Sequence, residues 1–204
     1  MKYFRSCSLA VVILSLLTAG CFRKSDYVPI SKQDLKGSGK LYLVPLGEFS
    51  KLDAEELASY YKTKYGISAE TLPTVHIPPS ARNAERQQLI AEEAVDLVRR
   101  VNSEISGNPN AILIGLTTED MYISQYDWRF SFSWREQGKY AVVSSGRMNL
   151  GNVSEDEARK RFRKMVTKNV GILYFHLPQS DDPRSVLYRN VGGIRELDYM
   201  GEEF

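Results

Sequence analysis

The feature that most constrains the fold of this chain is the stretch from Ser154 to Phe175, SEDEARKRFRKMVTKNVGILYF, which predicts a long amphipathic helix. Ser154 and Glu157 form an S-x-x-E pair, which is typical of a helix N-terminus. The acidic residues come first and the basic ones later, as the helix dipole favours. The side chains expected on one buried stripe recur at spacings of three and four: Ala158, Phe162, Met165, Val166, Asn169 and Leu173.

The rest of the chain predicts strands alternating with helices. Continuous apolar runs predict buried strands at 41–46 and 111–116, and an interrupted strand is expected at 71–77. The segments 130–134 and 140–144 are expected to form an antiparallel pair. Helices are predicted from Asp53 to Gly66 and over 83–105. This order favours one α/β domain with a mixed, mostly parallel sheet and two long helices.

The N-terminus predicts a targeting signal over residues 1–20. Lys2 and Arg5 precede a run of nine apolar residues, which is too short to span a bilayer. The small residues before Cys21 resemble the lipobox of bacterial lipoproteins, which implies acylation (palmitate) at Cys21. A plain secretory signal with an incidental cysteine is the alternative. We therefore expect a lipid-anchored linker over 21–39 and a domain over 40–204, held on a bacterial membrane at the cell envelope, either the outer membrane or a periplasmic face.

Charge and cysteine content exclude two classes of protein. Without Lys2 and Arg5, 25 lysines and arginines balance 25 aspartates and glutamates, so no nucleic-acid partner is expected. The two cysteines are Cys7, inside the predicted signal, and Cys21. A disulfide framework is therefore excluded.

Several segments, in the same order along the chain, resemble the archaemetzincins, a family of predicted zinc metallopeptidases related to the metzincins. The segment 112–122, ILIGLTTEDMY, is similar to a family strand that ends in a turn with threonine, aspartate and tyrosine. The segments Phe130-Ser131-Phe132 and 141–148, AVVSSGRM, are similar to the two that follow. The resemblance covers roughly residues 40–175 and implies that the domain over 40–204 is a zincin-like single domain.

In that family the next helix carries H-E-x-x-H-x-x-G-x-x-H, where three histidines bind zinc and the glutamate is the general base. With Gly171 placed on the family's glycine, the ligand positions fall on Lys168, Ile172 and Pro178, and the base falls on Asn169. None of the three is an imidazole. We therefore predict no zinc cofactor, no catalytic residues and a non-catalytic binding or scaffold role. A divergent metallopeptidase or hydrolase with a non-standard site is the alternative.

Aromatic residues concentrate between positions 122 and 140. Core packing explains such a cluster, because aromatic side chains dominate buried area. A binding surface is the other interpretation, since tryptophan and tyrosine anchor many interfaces. The candidate surface, for a peptide or protein partner, consists of Tyr122, Trp128, Trp134 and His176. His176 is followed by Asp181 and Asp182, so a His/Asp site there is a further alternative.

Overall fold

The computed structural model describes residues 27–204, so the predicted signal peptide and Cys21 lie outside the described residues. The strands are β1 (Lys40–Leu46), β2 (Ala69–Thr71), β3 (Arg82–Asn83), β4 (Gln88–Ile90), β5 (Ala111–Thr117), β6 (Met121–Tyr122), β7 (Ser133–Glu136) and β8 (Tyr140–Ser144). A five-stranded sheet has the order β2-β1-β5-β8-β7, in which β7 alone runs antiparallel to its neighbour. A small second sheet has the order β3-β4-β6. The predicted α/β domain with a mostly parallel sheet is confirmed.

The helices cover both faces of the large sheet. They are α1 (Lys51–Tyr65), α2 (Ala91–Val101), α3 (Ser103–Ser106), α4 (Glu155–Leu173) and α5 (Ile194–Tyr199). Side chains from the two faces of the large sheet belong to two hydrophobic cores. Leu41 and Leu43 of β1 pack with α1 and α4, whereas Val44 and Leu46 pack with α2. Within residues 27–204, no helix is both long and apolar enough to cross a membrane.

The long helix α4 forms where its sequence predicts it. Ser154 is the N-cap, and its side chain accepts a hydrogen bond of 3.2 Å from the Glu157 N–H. From Arg161 onwards the helix is buried on more than its apolar stripe, because Arg161, Lys164 and Lys168 are also buried. Arg161 pairs with Asp198 of α5, and the Lys164 Nζ donates to the carbonyls of α5 residues. The C-terminal segment therefore satisfies cations that would otherwise be desolvated without partners.

The helix predicted over 83–105 is wrong in its first eight residues. The Asn83 side chain accepts hydrogen bonds from the N–H groups of Glu85 and Arg86, which closes a turn, and Gln87 has a positive φ of 53°. This turn joins β3 to β4, and α2 begins only at Ala91. The spacing of apolar residues in this helix places Val101 on its buried stripe with Ala94, Leu97 and Val98, but Val101 is 56% exposed.

The segment predicted as a free linker meets the domain before residue 40. Ile30 and Leu35 pack against the core, and Ser31 caps a short 3-10 turn over Lys32–Asp34. A Cβ built on Gly37 would lie 2.4 Å from the Tyr174 ring, so the backbone approaches the end of α4 closely. The chain therefore docks on the domain from about Ile30.

Candidate functional site: a cleft between the edge strand and the long helix

A cleft of about 710 Å³ lies where the open edge of the sheet faces α4. Its walls are β7, α4, the 123–132 loop and the segment around residues 189–192. The lining residues that matter below are Trp128, Phe132, Trp134, Arg135, Lys168 and Arg189. The cleft brings together positions that the sequence places on separate elements.

The floor of the cleft is made by α4 and one arginine of β7. Lys168 is 4% exposed, and its Nζ donates a hydrogen bond to the Tyr188 carbonyl. Asn169 is fully buried. Its Nδ2 donates to the Met165 carbonyl at 2.7 Å, and its Oδ1 accepts from the Arg135 Nη1 at 3.0 Å. The amide at the family's base position is thus held between helix and sheet and has no basic lone pair to offer to water.

The two cations on this floor have no carboxylate partner. Among residues 27–204, neither Arg135 nor Lys168 forms an ion pair, whereas Arg189 at the rim pairs with Asp181 at 2.7 Å. Burial, with a smaller contribution from Arg135, lowers the pKa of Lys168 to about 8. Burial also lowers the pKa of Arg135. The cleft therefore carries positive charge that its own residues leave unbalanced.

Aromatic rings form the outer rim. Tyr126 and Trp128 stack with ring centroids 4.7 Å apart, and Trp134 meets Tyr126 edge-on at 6.1 Å. Tyr126 and Trp128 are 44% and 54% exposed, which is unusual for rings of this size. Trp128 and Trp134 were predicted as candidate binding residues, and both line the cleft.

The loop that carries Trp128 is held by a polar network from the small sheet. Arg86 donates to the carbonyls of Trp128 and Arg129, and Gln88 also donates to Arg129. Gln88 further binds Asp120 at 2.8 Å, which in turn accepts two hydrogen bonds from Arg147. A bidentate arginine–carboxylate pair fixes both distance and orientation. The rim is therefore positioned by residues that the candidate-site prediction did not include.

The strand β7 leaves backbone groups free on its outer edge. The Phe132 carbonyl accepts from the Ser144 N–H at 2.9 Å, and the pairing continues as Trp134 with Val142. Because hydrogen-bonded pairs alternate along antiparallel strands, the N–H and C=O groups of Ser133 and Arg135 point away from β8. The Ser133 carbonyl accepts a hydrogen bond from the Ser131 hydroxyl at 2.9 Å, so the groups left for a partner strand are the Ser133 N–H and the Arg135 N–H and C=O. Such an edge can pair with another extended chain.

Other sequence-predicted residues lie away from this cleft. Tyr122 is 6% exposed, accepts a hydrogen bond from Asn83 and lies under the Arg86 guanidinium, so it belongs to the interior. His176 is exposed beyond the end of α4 and does not line the cleft, and neither does Pro178. Ile172 packs against the core.

The neighbours of His176 do not form the alternative His/Asp site. Asp181 pairs with Arg189, and Asp182 pairs with Arg184. In the part of the chain that the structure describes, no group of three or more His, Cys, Asp or Glu residues is arranged to hold a metal ion.

Gly171 is required here by close packing. A Cβ built on it would lie 2.4 Å from the Phe204 ring and 2.8 Å from Leu187 Cδ2. Leu187 is buried against α4. The C-terminal residue Phe204 completes this contact with a side chain 2% exposed.

A second cleft, of about 690 Å³, lies between α1 and the first half of α4. Its central Arg159 binds Glu155 at 2.8 Å and has Asp53 and Glu56 at 3.9 Å. Carboxylates outnumber cations in its lining, with Glu48, Asp53, Glu56 and Glu155 against Arg159 and Arg163. It therefore lacks the excess positive charge of the cleft at β7.

A mixed sheet whose antiparallel edge strand faces a long helix across a cleft defines the zincin-like class of fold. No family model matches the chain. It is 29% identical to an archaemetzincin of Haloarcula marismortui over 131 residues, which are 63% of this chain and 72% of the relative. It is 28% identical to an archaemetzincin of Natronomonas pharaonis over 166 residues, which are 78% and 91%.

Solved structures show the same fold. The archaemetzincin of Methanopyrus kandleri superimposes with a TM-score of 0.65 at 23% identity, covering 81% of this chain and 88% of that one. A malonate complex of the Archaeoglobus fulgidus archaemetzincin gives 0.63 at 22%, covering 81% and 94%. A zinc-dependent peptidase of Methanocorpusculum labreanum gives 0.62 at 16%, covering 80% and 95%. The chain is archaemetzincin-like.

These relatives correct our prediction about cofactors. We predicted that the protein has none, and this prediction is wrong as made, because the similar proteins are archaemetzincins and one solved structure of the same fold is a zinc-dependent peptidase. The residues at the motif positions of α4 nevertheless do not fit a zinc ion. Lys168 is a hydrogen-bonded cation, Ile172 is aliphatic and Pro178 has no donor atom in its side chain.

The candidate-site prediction missed Arg135, which the structure places on the floor with Lys168 and Asn169. A signal for it exists in the segment FSFSWRE, where large rings alternate with small or charged residues. Period-two alternation places Ser133 and Arg135 on one face of the strand and Trp134 on the other. The contact with α4 is not readable, because it joins residues 34 positions apart.

Proposed function

We propose that this domain is a binding module for an extended peptide or protein segment, which pairs with β7 and lies in the adjacent cleft. The observation that carries the proposal is the open edge of β7, whose outward Ser133 and Arg135 backbone groups border a cleft with an aromatic rim. Strand addition to an exposed edge supplies main-chain hydrogen bonds, and pockets beside it supply specificity. The loop 123–132, which the polar network holds in place, forms one wall of such a pocket.

Binding without cleavage is the role that the floor supports. Cleavage of a peptide bond needs a base for the attacking water and a group that stabilises the developing oxyanion. Asn169 is neutral and is held by Arg135, so the base position supplies no proton acceptor. Lys168 and Arg135 can hold negative charge, which is a binding role. We further propose that the module works as a lipoprotein at the bacterial cell envelope, anchored through Cys21.

The test is selection of binding peptides by the full-length protein in detergent. The probe is a library of random nonapeptides, acetylated and amidated at their ends. Wild type is compared with Ser133→Pro, which removes an outward N–H without removing a hydrogen bond to β8, and with Ser133→Ala as the matched control. We expect both wild type and Ser133→Ala to retain peptides, and Ser133→Pro to lose about tenfold or more in affinity.

Two readouts keep this test decisive. Thermal melting by circular dichroism establishes that the Ser133→Pro variant is folded. In wild type, bound peptide should slow hydrogen exchange at the Arg135 amide, which faces solvent in the free protein. Equal retention by folded Ser133→Pro, no retention by any form, or metal-dependent cleavage of the peptides in wild type would each overturn the proposal.

A further inference from the structure

The floor of the cleft places two unpaired cations side by side beneath the open strand edge. Arg135 donates a hydrogen bond to Asn169 of α4, which is the residue next to Lys168 in the sequence. Neither Arg135 nor Lys168 forms an ion pair with a carboxylate of residues 27–204. The arginines of α4 do have acidic partners in the described chain: Arg159, Arg161 and Arg163 pair with Glu155, Asp198 and Glu202. Lys164, the other buried lysine of α4, donates to backbone carbonyls of α5 instead. What distinguishes Arg135 and Lys168 is that they line the cleft without an acidic partner in the described chain.

The register of β7 defines what would reach these cations. On an added strand, the residue directly opposite Arg135 has its Cβ within about 5.5 Å and its side chain on the same face of the sheet. That face looks onto α4, because the side chain of Arg135 contacts Asn169 there. One side chain of a paired segment would thus enter the space between Arg135 and Lys168.

We propose that Arg135 and Lys168 bind the side-chain carboxylate of an aspartate or glutamate at this position of the bound segment. The inference rests on the proposed function and adds to it the chemical class of the ligand. The guanidinium of Arg135 offers the remaining N–H donors of a planar fork, and the ammonium of Lys168 has two protons beyond the one given to Tyr188.

Two further observations support an acidic ligand. Burial costs a lone cation solvation free energy, and a carboxylate within hydrogen-bond distance offsets that cost. Burial lowers the pKa of both Lys168 and Arg135, and no ion pair of the described chain offsets this cost. Asp127 is the one carboxylate among the residues lining the cleft, and it forms no ion pair with either cation in the described chain.

The test reads the sequences of the retained nonapeptides from full-length wild type, Lys168→Met and Arg135→Gln. Lys164→Met is the matched control, because Lys164 is also a buried lysine of α4 that donates to backbone carbonyls, yet it does not line the cleft. In wild type we expect aspartate or glutamate at one position to be favoured over asparagine and glutamine by about tenfold or more.

This preference should disappear in Lys168→Met and Arg135→Gln and persist in Lys164→Met. Peptides without the acid should bind all four proteins alike. Retention of peptides that depends on Ser133 but shows no acidic preference would overturn the inference and leave the proposed function standing. A preference unaffected by both cleft substitutions would overturn it as well. A parallel library with free C-termini tests whether the bound carboxylate is a peptide C-terminus. Enrichment in that library alone would assign the site to a terminal carboxylate and would also reject the proposal.

Discussion

At the scale of single residues, the positive charge of the cleft depends on a buried lysine whose hydrogen-bond partner is a backbone carbonyl and not a carboxylate. The ammonium of Lys168 lies beside Arg135, and the carbonyl of Tyr188 supplies only a partial negative charge. The charged groups around the cleft are mostly basic, with Arg129 and Arg189 at its edge and Asp127 as the acid. A cation in this setting destabilises the fold relative to a neutral side chain of similar length.

We therefore expect stability to rise with pH between about 8 and about 10. The folded pKa of Lys168, about 8, lies below the ordinary lysine value of 10.5, so between these two pH values the unfolded chain binds more protons and unfolding becomes less favourable. From pH 7 to pH 9.5 the gain is on the order of 2 kcal/mol. Above pH 10 the stability declines, because burial raises the pKa of Tyr61 and Tyr65 and the unfolded chain then loses their protons before the folded one does.

Lys168→Met should reduce this rise to the part contributed by Lys164, whose pKa burial also lowers. The measurement is urea unfolding of wild type and variant at pH 7 and pH 9.5, followed by circular dichroism. The variant should be the more stable protein at pH 7, and the difference should shrink at pH 9.5. A wild-type free energy of unfolding that stays level or falls between the two pH values, in parallel with the variant, would contradict the assignment.

Residue types on the helix were predictable from the sequence, but their environment was not. The spacing from Gly171 placed Lys168, Asn169 and Ile172 correctly on one helix. Nothing local indicates that Asn169 would bind Arg135, because that contact depends on how far β7 lies from α4. Tyr122 looked like a surface aromatic by composition, whereas the turn at Asn83 covers it.

At the scale of elements, prediction succeeded where local signals agreed with packing. The strands β5 and β8 and the helix α4 start or end within about two residues of the prediction, because apolar runs, caps and turns coincide. The segment 83–90 failed because its apolar spacing continues that of α2, while its backbone is directed by the Asn83 turn and by pairing with β6. Side-chain periodicity does not record such a turn.

Gly171 connects α4 to the C-terminal segment, and Gly171→Ala should destabilise the protein. In an exposed helix the same change stabilises by up to about 1 kcal/mol, since alanine is the better helix former. Here the new methyl group meets Phe204 and Leu187 in a packed core, which costs about 1–3 kcal/mol. A loss of stability in Gly171→Ala would therefore indicate that the new methyl group meets Phe204 and Leu187.

The measurement is urea unfolding of Gly171→Ala beside Gly192→Ala. A Cβ at Gly192 meets no atom within 4 Å, so this control should change stability little. Phe204→Ala combined with Gly171→Ala should recover part of the loss attributable to the clash, because the methyl group then has room. A stabilised Gly171→Ala protein would show that α4 and the C-terminus are not packed as described.

At the scale of the whole molecule, the docked N-terminal segment determines how a lipid anchor would hold the domain. The chain contacts the core from Ile30, so eight residues separate it from Cys21. Fully extended, the nine residue steps from Cys21 to Ile30 span roughly 30 Å. A domain on so short a tether stays close to the bilayer, and its cleft would then serve segments presented at the membrane surface.

Localisation at the membrane depends on acylation at Cys21, so Cys21→Ser should move the protein from the membrane to the soluble fraction. Two or three acyl chains hold a protein firmly on a bilayer, whereas the described domain contains no helix able to span one. The measurement is fractionation of cells with labelled palmitate. Cys7→Ser is the matched control, since Cys7 lies in the segment predicted to be removed, and it should partition like wild type. Membrane retention of Cys21→Ser equal to that of Cys7→Ser, or label incorporated without Cys21, would refute the anchor and leave the proposed peptide binding to be judged in solution.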